Sequence, residues 1–258
     1  MPLPSLRRCA PLALSLCTLC VSFAAAAQEW KPGTPGVWGL GIGAGLERLP
    51  YAGIDNNKRL LPLVTYNSEY FRLSGLTADW KFAKTEQFTF ALRGKYALAD
   101  GYKADDAPIL DGMDERKAGF WVGGAATWNA DFAKLSLELL GDVSGNSKGT
   151  QARLGIERSF TAGRFVFTPR ASALWADKKY VNYYYGVTGA EATASRAAYE
   201  GKSTVNLQVG LRTAYLLDAH QSLFLDLSAT ALGKEIKDSP LVDKKTVPAV
   251  AIGYLYRF

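Results

Sequence analysis

Few residues of this 258-residue chain have the types and spacing that chemistry needs. Gly145-Asn146-Ser147-Lys148-Gly149 spells a G-x-S-x-G nucleophile elbow, which requires a strand-to-helix turn and a histidine base. The flanking residues alternate as strands do, and the sole histidine, His220, falls in a turn expected at the opposite end of the fold from Ser147. A Ser-His mechanism therefore has no geometry. Gly39-x-Gly41-x-x-Ala44 fits a dinucleotide fingerprint by letter, but that motif needs a strand before it and a helix after it. Glycines at 39, 41, 43 and 45 with Trp38, Leu40, Ile42 and Leu46 between them read instead as one smooth, lumen-facing row. Asp105, Asp106, Asp111, Asp114 and Glu115 could bind calcium or form an acid–base pair, and a solvated acidic loop is the better reading. Catalytic residues, cofactor and metal ligands are all expected to be absent.

The elements that must position these residues begin after an export signal. Arg7 and Arg8 precede an apolar stretch, and Ala25 and Ala27 supply an A-x-A cleavage site before Gln28. The expected division is residues 1–27 signal, 28–36 a short periplasmic segment and 37–258 the folded unit. Cys9, Cys17 and Cys20 all lie within the signal, and neither Leu16 nor Leu19 is the small residue that lipoprotein processing wants. The mature chain thus has no disulfide or thiolate metal site. Losing Arg7 and Arg8 lowers the formal charge from +6 to +4, with no basic cluster for nucleic acid.

From Trp38 onward the hydrophobic period is two, and no helix is read. Phe88, Phe90, Leu92, Tyr96 and Leu98 alternate with Thr89, Ala91, Arg93, Lys95 and Ala97. Such segments run to about ten residues or more, the length of a tilted membrane strand. Short turns near 84–86, 129–131, 161–163 and 218–221 alternate with longer connections at 50–59, 99–116, 144–147, 181–202 and 233–245, matching periplasmic turns and external loops. Residues 60–83 are too long for one strand, and breaks near Glu69 and Gly75 divide them into three, the last two short. The expectation is an all-β, transmembrane, antiparallel up-and-down barrel of twelve strands, with ten as the alternative, in the outer membrane of a Gram-negative bacterium. Tyr254, Tyr256 and Phe258 close the last alternating row and resemble the C-terminal signal read by the barrel-assembly machinery.

Ten charges fall on inward rows: Glu47, Arg93, Lys95, Glu138, Asp142, Arg153, Glu157, Arg170, Arg212 and Asp226. Inside a barrel they must pair or be hydrated, and they could line a narrow pore or lock a plugged lumen. Lys58, Arg59, Lys103, Lys178, Lys179, Lys202, Lys244 and Lys245 fall near the external rim, where lipopolysaccharide phosphates are the natural counter-charge beside the outer-membrane lipid.

Several strings resemble the MipA/OmpV family of outer-membrane proteins. They are Pro50-Tyr51-Ala52-Gly53, Asp111-Gly112-Met113, Asp142-x-Ser144-Gly145 with Gly149, Tyr183-Tyr184-Tyr185-Gly186-Val187 and Ser239-Pro240-Leu241-Val242. The resemblance implies a non-enzymatic barrel that binds a lytic transglycosylase and, through it, a penicillin-binding protein. It offers Asp111, Gly112, Met113, Tyr183, Tyr184, Tyr185 and Gly186 as an external-loop interaction surface, unless these strings merely fold over the barrel mouth. A scaffold for murein-remodelling enzymes leads; a small-solute channel or transporter and a surface sensor or adhesin are the alternatives.

Overall fold

A computed structural model describes residues 36–54, 56–98 and 101–258. The expected signal and the segment that follows it, up to residue 35, lie outside the described residues.

Twelve strands run through the described residues, each antiparallel to the next. They are β1 (Val37–Arg48), β2 (Asn56–Asn67), β3 (Phe71–Ser74), β4 (Thr77–Lys84), β5 (Phe88–Ala97) and β6 (Gly119–Asn129). Then come β7 (Lys134–Asp142), β8 in two pieces (Thr150–Glu157 and Phe160–Ala162), β9 (Phe165–Ala176), β10 (Thr204–Leu216), β11 (Gln221–Ala231) and β12 (Thr246–Arg257). Both pieces of β8 pair with β9. Between them the Arg158 N–H still donates to the Pro169 carbonyl at 3.3 Å, and Pro169 itself can donate nothing, so a proline sits where the ladder is irregular. β12 pairs with β1 from Gly39↔Arg257 to Glu47↔Ala249, which closes the barrel with the start of β1 and the end of β12 at the short-turn end.

Residues 60–83 do break at 68–70 and 75–76, as their length demands. Only one of the two later strands is short: β3 has four residues, β4 eight. At the first break the Ser68 hydroxyl accepts from the Phe71 N–H at 3.1 Å. At the second, Gly75 turns the chain at φ +56°, a conformation that costs glycine little.

The alternating rows face as a membrane barrel requires. Outward residues such as Leu207, Val209, Leu137, Leu139 and Ile252 are more than half exposed, a surface far larger than water tolerates on a monomer. Aromatic residues crowd the short-turn end of this face, among them Trp38, Phe82, Phe88, Trp128 and Phe165, where an interfacial girdle belongs.

The glycine row of β1 does face inward. It does not leave an empty lumen, because Leu63, Phe224 and Leu255 pack against one another there. A Cβ at Gly41 would fall 2.1 Å from the Tyr254 carbonyl oxygen of β12, and one at Gly253 would meet the Phe224 ring at 2.6 Å. The closing seam is thus built on close backbone approach. Gly41→Val should destabilise the refolded barrel by about 1–3 kcal/mol, the usual cost of overpacking. Loss of the folded, heat-modifiable band at a lower temperature on gel electrophoresis would register it, and an unchanged temperature would refute the tight seam.

Candidate functional site: a capped, charged lumen

The outer mouth is closed by packed loops. Tyr51 from the β1–β2 loop, Tyr102, Leu110 and Met113 from the β5–β6 loop, and Ile236 and Leu241 from the β11–β12 loop form one buried cluster with a helix of the β9–β10 loop. That helix, α1 (Lys178–Tyr185), was not legible in a pattern of period two. Its eight residues are too few to display a helical period, and it starts because the Asp177 side chain accepts the Tyr180 N–H at 2.9 Å. Its buried face carries Tyr180, Val181, Tyr184 and Tyr185. A further single turn, α2 (Lys234–Lys237), adds Ile236.

Hydrogen bonds join the same loops. Tyr51 donates to the Tyr184 carbonyl at 3.2 Å and Ser239 to the Tyr185 carbonyl at 2.6 Å. Glu191 holds the centre: one oxygen accepts from Arg116 at 2.7 Å and the Asp114 N–H at 3.1 Å, the other from the Thr188 N–H and hydroxyl. Arg196 donates to the carbonyls of Ile109, Asp111 and Glu191, tying the β9–β10 loop to the β5–β6 loop. Burial opposes the charge on Glu191, but these hydrogen bonds outweigh it and bring the carboxyl down to about 2 from an ordinary 4.5. Burial in the same cap pushes the Tyr102 hydroxyl up to about 12.

Of the loop residues singled out by resemblance, Asp111 and Gly112 are exposed and Tyr183 is half-buried, its hydroxyl accepting the Lys117 N–H at 2.9 Å. Met113, Tyr184, Tyr185 and Gly186 are buried inside the cap. Asp142 also serves an outer loop, accepting from Ser144, Ser147 and Lys148, and stands apart from the central ion pairs. The Ser147 hydroxyl donates to Asp142, while His220 lies in the β10–β11 turn with Nδ1 2.8 Å from the Arg257 carbonyl oxygen, so the two are at opposite barrel ends. Lys244, placed at the rim by sequence, is anchored on the carbonyls of Tyr51 and Ile54. Arg59, placed there too, turns inward and is buried, because it shares the parity of Leu61 and Leu63 on β2.

Beneath the cap the lumen is polar. In one cluster Arg93 bridges Asp79 at 2.7 Å and Glu138 at 2.5 Å, with Arg153 at 4.0 Å from Glu138. In another Asp226, almost wholly buried, accepts from Arg170 at 2.6 Å and from the Arg212 Nε–H at 2.9 Å. Lys134 pairs with Glu157 at 2.8 Å near the short-turn end. Glu47 lies on the inward row of β1 toward its outer end, away from both clusters.

A cavity of about 120 Å³ runs between these groups. Its lining includes Arg72, Arg93, Lys95, Lys134, Arg153 and Arg170 against Asp79, Glu138 and Glu157, so cations outnumber carboxylates. Arg72, Lys134 and Glu157 bring it to the short-turn end of the barrel. Asp79, Arg72 and Lys134 were missed as lumen residues. The alternation of Thr77, Asp79 and Lys81 with Trp80 and Phe82 could have found the first, but not that it would meet Arg93.

The family model described as MltA-interacting protein MipA matches residues 40–258, nearly the whole described barrel. The chain belongs to the MipA family. This MipA-family barrel is 25% identical over 221 residues to the putative outer membrane protein YiaT of Escherichia coli O157:H7, covering 85% of this chain and 90% of the relative. It is 24% identical over 226 residues to the MltA-interacting protein of Escherichia coli K12, covering 86% and 91%. It is 29% identical over 171 residues to the outer membrane protein OmpV of Vibrio cholerae, covering 64% and 65%. Among solved structures, the NanC porin aligns over 84% of this chain and 98% of its own at 11% identity, with a TM-score of 0.46. The MipA-family barrel is an outer-membrane protein of the Gram-negative envelope.

Asp226→Asn leaves the buried Arg212 and the half-buried Arg170 without their carboxylate and should cost about 3 kcal/mol, read as a lower urea midpoint of unfolding; an unchanged midpoint would show the pairs to be incidental. Because the Glu191 carboxyl is depressed on folding, its contribution is complete above about pH 4.5 and is lost as the pH falls through about 2. Pepsin should therefore begin to cut the cap loops within that window. Glu191→Gln should already be cut by trypsin at neutral pH, where the wild type resists; equal resistance would remove Glu191 from the centre of the cap.

Proposed function

We propose that this barrel is a non-conducting, non-enzymatic interaction protein that anchors murein-remodelling machinery to the inner face of the outer membrane. The observation that carries the reading is the sealed outer mouth. A solute pathway must stay open through the lumen, whereas here four loops bury a common apolar core across it. The MltA-interacting protein of Escherichia coli is named for its partner, and a lytic transglycosylase, with a penicillin-binding protein bound through it, is the partner class this chain inherits as a proposal. The basic, short-turn end of the lumen suits an acidic partner segment from the periplasm. The lipopolysaccharide contact proposed for the external lysines is compatible with such an anchor.

A channel for small anions is the rival, favoured by the excess of cations around the cavity. The refolded full chain in a planar bilayer separates the two. The anchor reading expects no discrete conductance from the wild type, and retention of a purified lytic transglycosylase on the immobilised chain. Regular steps whose anion preference reverses in Arg93→Glu would overturn it in favour of the channel. Failure to retain the enzyme, with a silent barrel, would overturn the choice of partner.

A further inference from the structure

A belt of uncharged residues crosses the lumen wall in register. Thr127 on β6 stands opposite Ser136 on β7, followed by Gly155 on β8, Ser172 on β9 and Gln208 on β10, and all five line the cavity. Charged rows flank the belt on both sides: Glu138 and Arg153 toward the cap, Lys134, Glu157 and Arg170 toward the short turns. The belt is hollow at its centre, because Gly155 has no side chain and a Cβ there would fall 2.7 Å from the Ser136 hydroxyl.

Charge around this hollow does not balance. Six cations against three carboxylates in the lining leave a surplus of three positive charges, and the Asp226–Arg212 pair beside Arg170 adds one of each. The three carboxylates are already engaged: Asp79 and Glu138 share Arg93, and Glu157 holds Lys134. Arg153 is served least among the paired cations. It donates to the Ser172 hydroxyl at 3.1 Å, while its Nε stands 4.0 Å from Glu138, beyond hydrogen-bond reach. Ser172, having accepted that bond, keeps its own O–H to donate. Solvent reaches these groups although loops seal the outer mouth, since the Arg153 side chain is 23% exposed and that of Lys134, beside the 130–133 turn, 31%. The entrance is therefore at the short-turn end.

A cationic surplus between low-dielectric walls concentrates counter-ions, and a guanidinium flanked by hydroxyls is a donor set for an oxyanion. We propose that the belt is a binding site for a small polyanion bearing carboxylate or phosphoryl groups, reached from the short-turn end. One oxyanion group lies over Gly155, held by Arg153, Ser172 and Ser136, and the remaining charge faces the surplus cations. That surplus fits a multivalent ion better than chloride, and about 120 Å³, several times what one water needs, fits a small solute rather than a chain segment. The site goes beyond the anchoring role and does not rest on it: conductance and enzyme retention test that role, and equilibrium binding tests this site.

The full chain, refolded in an uncharged detergent, is titrated calorimetrically at neutral pH and fixed ionic strength with pyrophosphate, with citrate and, as the monovalent control, with acetate. Saturable binding of a polyanion is expected, with acetate at least about tenfold weaker. Arg153→Gln should weaken polyanion binding about tenfold or more, the value of one charge-assisted contact. Lys179→Gln, exposed on the outer loops, should change it less than about twofold. Preference for pyrophosphate assigns a phosphoryl ligand, preference for citrate a carboxylate one, and equal affinity a site that reads charge. If Arg153→Gln does not give a folded band, Ser136→Asp, which sets a carboxylate in the belt, should abolish binding in its place. No saturable binding to the wild type, acetate bound as tightly, or unchanged affinity in a folded Arg153→Gln or Ser136→Asp variant would overturn the site. Binding of a polyglutamate peptide where neither small polyanion binds would overturn it in favour of an acidic partner segment.

Discussion

Hydrocarbon offers no partner to a backbone N–H or C=O, so a strand that crosses a membrane must be hydrogen-bonded on both edges by its own chain. Nearly everything in this molecule follows from meeting that demand with twelve strands. Closure requires β12 to reach β1, and the two approach so closely that glycine is needed at Gly41 and Gly253. The demand is relaxed where proline interrupts donation, at Pro169 beside the break in β8 and at Pro62 beside the short β3. These are the places where the wall departs from a regular cylinder.

A closed wall fixes a second problem, the filling of the interior. Charges on inward rows cannot escape to solvent, so they are drawn into compact clusters around Arg93 and Asp226. Such buried pairs stabilise little relative to apolar packing, but removing one member leaves the other stranded. The outer end is solved differently, by an apolar core of loop residues that resembles a small soluble domain laid across the mouth. The protein therefore has two interiors of opposite character, one greasy and external, one ionic and facing the periplasm.

The barrel was legible because alternation, turn spacing and the even parity of strands are local properties of the chain. The break at Gly75 could be read from length alone. The inward placement of Arg59 was accessible in principle, since it lies two residues from Leu61, but strand ends blur the border between rim and lumen. The tyrosine string 183–185 was visible as a motif, yet its role as the inner face of a capping helix was not, because eight residues carry too little period to compete with the surrounding loop.

What the sequence by itself determined is the architecture: a strand that must turn one face to lipid and one to water writes that requirement every second residue. Tertiary structure alone decided which inward charges meet, that four distant loops share one core, and that Arg59 is buried. Those outcomes depend on register and on contacts between residues far apart in the chain, such as Arg116 with Glu191 and Tyr51 with Tyr184. Local patterning carries no information about either, because alternation is unchanged when a strand slides by two residues along its neighbour.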